Sequence, residues 1–257
     1  MVCSLFFRNH QTNSPILTVC IVNYSLMRKL LLLLLFFITA KSLQAQFFIG
    51  GGHLNGGFPV SKLKEEVNKT IFPTLSGILL YEFYSQPIQI GLEFNYGIYG
   101  TKVEVRNDLY PGFLDDYRIR RNNNYASGMA VFRFLPFHNS KLTPFIEIQT
   151  GANYLYSRFK IRPSIFEETV EVGKDLEDWA IAYKIGGGIQ FPLPGIEGGK
   201  LELRINYQDG GSMSFLTKPD TNYLPDKGDG EFEYNPRQSP LQLITGSIGI
   251  VVYDAFR

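Results

Sequence analysis

Apolar and polar residues alternate with a period of two along eight stretches of this chain, all of them after residue 46. The clearest is Ile88–Ile98, in which every second side chain is aliphatic or aromatic and the residues between are glutamine, glutamate, asparagine or glycine. Such alternation predicts β-strands with one apolar and one polar face. The eight predicted strands are Phe47–Gly57, Thr74–Tyr84, Ile88–Ile98, Tyr125–Leu135, Ile146–Tyr156, Trp179–Phe191, Leu201–Tyr207 and Leu241–Tyr253.

The connections between these strands alternate in length along the chain. The short ones are Ser85–Pro87, Pro136–Lys141 and Pro192–Gly199, and the long ones are Phe58–Pro73, Gly100–Asn124, Ser157–Asp178 and Gln208–Pro240. Strands of about ten residues joined in this way are typical of outer-membrane barrels, whose short turns are periplasmic and whose long loops are extracellular. Because a sheet can cross lipid only if it closes, the pattern predicts an all-β fold, an eight-stranded antiparallel up-and-down transmembrane β-barrel.

Residues 27–45 have the three parts of a secretory signal peptide. Arg28 and Lys29 form a basic start, Leu30–Ala40 is an apolar core, and Ala45 precedes a plausible cleavage site. The core is shorter than the roughly 20 residues that a membrane-spanning helix needs. Residues 1–26 have no comparable feature, and we interpret them as an unstructured extension ahead of a true start at Met27. We therefore expect a cleavable signal peptide over 27–45 and a barrel domain over 46–257.

Charge and cysteine content narrow the classes of partner and site. Removing the four basic residues ahead of residue 46 changes the formal net charge from +1 to −3, which gives no reason to expect a nucleic acid partner. Both cysteines, Cys3 and Cys20, also precede residue 46, so the barrel domain has no thiol for a disulfide or a metal site. We expect no cofactor and no metal.

Alternation alone does not say which face of the barrel is inside. A soluble barrel of the lipocalin type is the alternative. Such a barrel binds apolar ligands in its interior, and the glutamates, lysine and arginines of the polar face would be a poor lining for that pocket. Aromatic residues near both ends of the predicted strands favour a membrane, because such residues are enriched at the two interfaces. They are Tyr96, Tyr154, Tyr156, Trp179 and Tyr207 at the outer ends, and Phe83, Phe134, Phe191 and Tyr253 near the turns.

Residues 46–257 resemble the small outer-membrane β-barrel proteins, namely the outer-membrane protein A and X types and the PorT-like barrels. The runs Gln46–Gly52, Gly91–Tyr96 and Ile185–Ile189 look most like the PorT-like group. Phe256, next to the C-terminus, resembles the signal read by the outer-membrane assembly machinery. The resemblance implies the outer membrane of a Gram-negative bacterium, with outer-membrane lipid, lipopolysaccharide and that machinery as partners. Some PorT-like members are implicated in protein secretion across the outer membrane.

The polar face predicts a charged lumen. The inward charges are Glu82, Glu93, Glu147 and Glu202 together with Arg133, Lys184 and Arg204. An eight-stranded barrel has room for little more than side chains, and buried charges must be paired. We therefore predict a structural ion-pair network that closes the lumen, in which Arg204 and Lys184 each reach at least one glutamate. A narrow-pore channel is an alternative.

No catalytic motif stands out, and we expect a protein that is not an enzyme and has no catalytic residues. Lipid A deacylation or acyl transfer needs a general base near the outer leaflet. The barrel domain has only His53, in the middle of the first strand, and His138, in a predicted periplasmic turn. An outer-membrane lipid-modifying enzyme remains the alternative.

Two loop segments carry candidate binding chemistry. Asp226–Glu233 is acidic and glycine-containing, but its spacing is out of step with a calcium-binding loop. Arg118–Arg121 could contact lipopolysaccharide phosphates, since arginine suits bidentate phosphate contacts, with ordinary surface charge as the alternative. The predicted function is a structural or binding role through the external loops, with a protein partner there or as part of an envelope or protein-secretion assembly.

Overall fold

The computed structural model describes residues 47–67, 70–83, 86–109, 115–137, 142–164, 167–224 and 231–254. The predicted extension and signal peptide lie outside these residues, as do His138, Phe256 and most of the acidic segment after residue 225. Within the described ranges, no helix has both the length and the apolar character needed to cross a membrane.

The described chain is almost entirely β-strand. Its elements are β1 (Phe47–Pro59), α1 (Ser61–Val67), β2 (Phe72–Glu82), β3 (Ile88–Arg106), β4 (Tyr117–Phe134), β5 (Thr143–Arg162), β6 (Glu171–Pro192), β7 (Gly199–Gly210), β8 (Ser212–Phe215), β9 (Thr221–Leu224), β10 (Glu231–Tyr234), β11 (Arg237–Pro240) and β12 (Leu243–Tyr253). Eight of them close into one barrel in the order β1-β12-β7-β6-β5-β4-β3-β2, with every pair antiparallel. The predicted eight-stranded antiparallel barrel is confirmed.

Strand parity separates an apolar outer face from a polar lumen. On β3, Leu92 and Phe94 are 49% and 63% exposed on the outside, while Glu93 between them is 2% exposed inside. An exposed aliphatic and aromatic belt around a closed barrel fits a lipid environment, where all backbone groups must pair within the sheet. This belt identifies an outer-membrane barrel. It also rules out a lipocalin arrangement, in which the apolar face would point inward.

Four strands extend well beyond the membrane-spanning part. Strands β3 to β6 contain 18 to 22 residues each, about twice the 9–11 that a tilted strand needs to cross a membrane. The register shifts between Ile98 and Gly100 on β3, and between Ser157 and Arg158 where β5 meets β6. The prediction of long loops over Gly100–Asn124 and Ser157–Asp178 was therefore wrong, because most of these residues continue the sheet.

The other two long connections also contain regular structure. Helix α1 follows β1, and its Leu63 and Val67, four residues apart, form one buried face. The connection after β7 contains two ribbons, β8 with β11 and β9 with β10. In β8, Met213 and Phe215 are buried together with the side chains of α1. These elements form an ordered structure at the outer mouth of the barrel, which we call the cap and define as α1 and β8–β11.

Candidate functional site

Arg133 of β4 points into the lumen, one residue before the periplasmic end of its strand, and is fully buried. Its Nη2 donates to Glu147 Oε2 on β5 at 2.8 Å, and its Nη1 donates to Glu202 Oε2 on β7 at 2.9 Å. The ring of Phe145 packs against the guanidinium, 3.9 Å from its central carbon. Arg133 therefore connects both carboxylates inside the barrel, including one on a strand that is not its neighbour.

Arg204 of β7 makes the second set of ion pairs. Its Nη1 and Nη2 donate to the two carboxylate oxygens of Glu93 on β3, at 2.7 and 3.1 Å. The same Nη1 also lies 3.5 Å from Glu147 Oε1. Strands β3 and β7 are on opposite sides of the barrel order, so this bidentate pair spans the lumen. Bidentate geometry is the arrangement in which arginine binds carboxylates most strongly.

Neutral side chains complete the coordination of the three carboxylates. Gln149 Nε2 donates to Glu93 at 2.9 Å, Asn206 Nδ2 to Glu147 at 2.6 Å, and Gln190 Nε2 to Glu202 at 2.9 Å. His53 is also part of this group, because its Nε2 lies 3.1 Å from Glu202 Oε1. We call these buried residues the lumen network, defined as His53, Glu93, Arg133, Glu147, Gln149, Gln190, Glu202, Arg204 and Asn206. A buried charge without such partners would be strongly destabilising.

Two of the predicted lumen charges lie outside the ion pairs. Lys184 is buried, but the described part of the chain places no carboxylate within 4.0 Å of its Nζ, contrary to the expected bridge. It borders a cavity of about 10 Å³ with Asn95 and Gln208, room for about one water molecule. Glu82 lies at the periplasmic end, half-buried, and accepts a hydrogen bond from Gln89 Nε2 at 2.6 Å.

Lys184 still bears on the charge balance of the lumen. The lumen network holds three carboxylates and only two guanidiniums, which leaves one negative charge to be balanced. Lys184 is a further buried cation inside the barrel. Because Coulomb attraction acts beyond contact distance in a low-dielectric interior, Lys184 can balance this charge without touching it.

The remaining space of the lumen is filled by apolar side chains. On the side of β1, β2 and β12, the inward Ile49, Ile78, Leu80 and Val251 form one buried cluster. Toward the extracellular side, a larger cluster combines inward barrel residues with the cap. Its members are Leu63, Val67, Phe72, Tyr99, Tyr125, Leu155, Ala180, Met213, Phe215, Leu241 and Leu243. The apolar lid was not predicted, because β8 is only four residues long, too short for its alternation of serine with Met213 and Phe215 to stand out in the sequence.

Polar contacts hold the lid across the mouth of the barrel. The backbone carbonyl of Leu216 accepts hydrogen bonds from Asn123 Nδ2 at 2.8 Å and from Tyr99 Oη at 3.2 Å. The backbone N–H of Ser214 donates to Asp178 Oδ2 at 2.8 Å. These bonds run from β3, β4 and β6 to the segment around β8, so the lid is fixed to three strands of the barrel.

A cavity lies in the cap, next to the apolar lid. It measures about 1200 Å³ and is lined in part by Lys64, Glu65, Lys218 and Arg237. Arg237 Nη2 lies 2.9 Å from Asp220 Oδ1. Burial alone would raise the pKa of Asp220, but hydrogen bonds from Arg237 and Thr217 outweigh it and hold the pKa of this carboxyl below its usual range. The cavity thus offers charges of both signs on a fixed scaffold.

The Arg118–Arg121 segment is divided by strand parity. Arg121 points inward, is buried, and forms an ion pair with Asp175. Its guanidinium also stacks on Phe232 of β10, 5.1 Å from the ring centroid. Arg118 and Arg120 point outward instead, with no carboxylate within 4.0 Å among the described residues. Across the described ranges, no group of three or more histidine, cysteine or acidic side chains could hold a metal ion.

No family model matches this chain, and no curated protein is similar to it in sequence. Among solved structures, Neisserial surface protein A is 10% identical, with a TM-score of 0.40, over 80% of this chain and 96% of that one. A major outer membrane protein of Thermus thermophilus is 8% identical, with a TM-score of 0.42, over 82% and 100%. The attachment invasion locus protein of Yersinia pestis, solved with the heparin analogue sucrose octasulfate, is 15% identical, with a TM-score of 0.36, over 81% and 97%. At these low scores, the fold assignment rests on the closed strand order itself.

Proposed function

We propose that this protein is a non-enzymatic outer-membrane barrel whose sealed transmembrane part anchors an extracellular binding surface. The observation that carries the proposal is the double closure of the lumen. The lumen network fills the membrane-spanning part, and the apolar lid covers the outer mouth. Among the described residues, side chains fill the lumen at two levels, which argues against the channel alternative.

The cap is the part of the protein suited to contact with other molecules. It is ordered by hydrogen bonds to the barrel, it is extracellular, and it contains a cavity of about 1200 Å³. Ligand sites are typically concave and carry a few placed polar groups. The lysines, glutamates and arginine that line this cavity favour a polar or zwitterionic ligand, or a partner segment with charges of both signs.

Conductance measurements in planar bilayers test the sealed lumen. We expect the reconstituted wild-type protein to show no stable single-channel steps. The matched variants are Glu93→Gln and Arg204→Gln, each of which removes one member of the bidentate pair. Steps in the wild type that change size in these variants would establish an ion path and overturn the proposal.

The enzyme alternative is tested through His53, the only histidine in the described residues. Its Nε2 contacts Glu202 inside the lumen, which is closed to a lipid substrate. We expect lipid A from cells expressing His53→Ala to have the same mass spectrum as lipid A from cells expressing the wild type. A loss of lipid A modification in the variant would establish that the protein is a lipid-modifying enzyme that depends on His53.

The PorT-like resemblance of Gln46–Gly52, Gly91–Tyr96 and Ile185–Ile189 extends the proposal to an envelope or secretion assembly. In that setting the cap would contact a partner protein. A photo-crosslinking residue at the exposed position 218 in the cap should give a discrete adduct in living cells. The same residue at position 196, in the periplasmic β6–β7 turn, is the control. Adducts at position 196 alone would place the partner on the periplasmic side.

A further inference from the structure

Five cationic side chains share the outward face of the β4–β5 hairpin above the membrane. They are Arg118 and Arg120 on β4 and Arg158, Lys160 and Arg162 on β5. The register between these strands is unbroken down to the pair Phe134–Ile146, both exposed on the lipid side. The five cations therefore lie on the same face as the lipid-facing residues, and we call them the cationic face.

The arrangement is electrostatically unfavourable for the protein alone. Arg118 pairs directly with Arg162, and Arg120 with Lys160, and like charges directly opposite on adjacent strands destabilise a sheet. In the described chain no carboxylate lies within 4.0 Å of any of the five cations. This contrasts with Lys174 on β6, which forms an ion pair with Glu177 at 2.8 Å. An external anion would relieve the repulsion.

The side chains are held by neutral acceptors that leave their charge uncompensated. Arg120 Nε donates to Asn122 Oδ1 at 3.3 Å, and Arg162 Nε donates to Thr169 Oγ1 at 2.8 Å. A surface depression of about 190 Å³ is lined by four of the cations and Asn122. The depression has enough room for a phosphate group, and its donors converge from two strands.

The height of the cationic face above the membrane interface indicates that the anion belongs to a lipid headgroup. Tyr154 and Tyr156 of β5 stack outside the barrel near Trp179, where the aromatic girdle marks the membrane interface. Arg158, Lys160 and Arg162 lie two, four and six residues beyond Tyr156. With a rise of about 3.3 Å per residue and a tilt of about 40°, they lie roughly 5–15 Å above the interface.

Apolar residues flank the cations on both sides. Val103 and Val105 of β3 are exposed next to Arg120 and Arg118, and Val172 of β6 is exposed next to Lys160. A face that combines cations with exposed aliphatic groups just above the acyl chains fits a glycolipid headgroup better than a fully solvated polyanion. Arginine presents a planar set of donors that matches phosphate oxygens.

We propose that the cationic face binds the phosphate groups of lipid A in the outer leaflet. The depression between Arg118, Arg120 and Lys160 receives one phosphate, and Arg158, nearest the interface, contacts the headgroup closer to the acyl chains. This site lies on the outside of the barrel wall, so it does not depend on ligand binding in the cap.

The test uses native mass spectrometry of the purified barrel in detergent with added lipid A. The variant Arg118→Gln/Arg120→Gln/Lys160→Gln removes three charges of the cationic face. The matched control, Lys62→Gln/Lys102→Gln/Lys200→Gln, removes three cations that line neither the cationic face nor the cap cavity. The probes are bisphosphorylated lipid A, the same lipid after both phosphates are removed, and inorganic tripolyphosphate as a soluble polyanion. A gel shift between unboiled and boiled samples checks that each variant is folded.

We expect the wild type and the control variant to bind bisphosphorylated lipid A with equal affinity. The cationic-face variant should bind it about tenfold more weakly, since exposed ion pairs each contribute modestly, and added salt should reduce the difference. Three results would each overturn the proposal: equal binding by the cationic-face variant, equal binding of the dephosphorylated lipid by the wild type, or tripolyphosphate binding as tight as that of lipid A. The last would assign the face to a soluble polyanion.

Discussion

Arg120 and Arg121 are adjacent on β4 and yet lie in opposite electrostatic environments. Arg121 points inward, is buried, and is paired with Asp175. Arg120 points outward, is exposed, and faces Lys160 across the hairpin. Burial is most complete in the lumen network. There the guanidinium of Arg133 and the carboxylate of Glu202 are fully buried and form an ion pair. Inward cations are mostly neutralised within the protein, while the outward cations of the β4–β5 hairpin are not.

The difference between inward and outward cations shows where in the barrel a charge can be left without a partner of opposite sign. Inside the barrel, a charge without a partner carries a large desolvation penalty, so the chain must supply carboxylates. Outside, water and salt screen the repulsion between cations, and the cost of leaving them unpaired is small. The cationic face can therefore be kept for an external anion at little cost to stability. In the lumen network, by contrast, an unpaired charge would destabilise the protein strongly.

Removing Arg133 should have the largest effect on stability. Arg133→Met leaves Glu147 and Glu202 buried without their main partner, and breaking a buried ion pair costs about 3–5 kcal/mol. Urea titration of the folded gel band in detergent measures the change. Lys200→Met is the matched control, because Lys200 is half-buried on β7 with its Nζ 4.2 Å above the Tyr253 ring and no carboxylate within 4.0 Å in the described chain. Equal losses in the two variants would mean that the lumen pairs contribute nothing specific.

A double-mutant cycle between Arg204 and Glu93 should give the next largest effect. The two side chains form a bidentate buried pair across the lumen, so we expect a coupling free energy of about 2 kcal/mol. The same cycle on Lys174 and Glu177, an exposed pair at 2.8 Å, should show no measurable coupling. Similar couplings for both pairs would remove the distinction between inner and outer charges.

The pair of Asp220 and Arg237 lies between these extremes, at the edge of the cap. Because the pKa of Asp220 is depressed in the folded protein, the carboxylate stabilises the cap fully above its unfolded pKa of about 3.9. This stabilisation is lost as the pH falls from there through the folded pKa. Limited proteolysis should therefore cut the wild-type cap faster only below about pH 4.

Asp220→Asn provides the control for that pH dependence. At neutral pH we expect its cap to be cut faster than that of the wild type, with the barrel itself intact. Its cutting rate should change less between pH 5 and pH 3. A wild-type cap whose resistance is already lost at pH 6 would point to a different titrating group.

Reversing one charge of the cationic face should have the smallest effect on stability, and with the opposite sign. Arg120→Glu replaces a like-charge pair with Lys160 by an opposite-charge pair, which should stabilise the barrel by about 0.2–1 kcal/mol. The same substitution should weaken lipid A binding. Arg120→Gln should lie between the wild type and Arg120→Glu in both measurements. A loss of stability in Arg120→Glu would show that Arg120 is already paired with an anionic group of the protein.

The sequence predicted the membrane-spanning strands well because lipid imposes a strict alternation on them. The predicted Phe47–Gly57 and Leu241–Tyr253 differ by only two residues at one end from β1 and β12. The extensions of β3–β6 were missed because, above the membrane, the outward positions become Arg118, Arg120 and Lys160 instead of apolar residues. The register shift after Ile98 also breaks the alternation.

The lumen charges could be identified from parity, but only some of their partners could be inferred. Arg133 and Glu147 are directly opposite on adjacent strands, so a hairpin register is enough to pair them. Arg204 and Glu93 lie on strands that meet only across the closed barrel. Lys184 has no carboxylate partner among the described residues for the same three-dimensional reason. Sequence alone does not contain the shear and tilt that decide such distances.

The central claim is that polar residues fill a sealed lumen while apolar residues face lipid, and single spin labels on β6 test it most directly. Cysteines would be introduced one at a time from Ile181 to Ile185, with Cys3 and Cys20 replaced by serine. We predict that labels at 181, 183 and 185 collide with lipid-dissolved oxygen, while labels at 182 and 184 are shielded from both oxygen and a water-soluble nickel reagent. Nickel access at 182 and 184 would contradict the sealed lumen, and shielding at 181, 183 and 185 would contradict the membrane-facing outer surface.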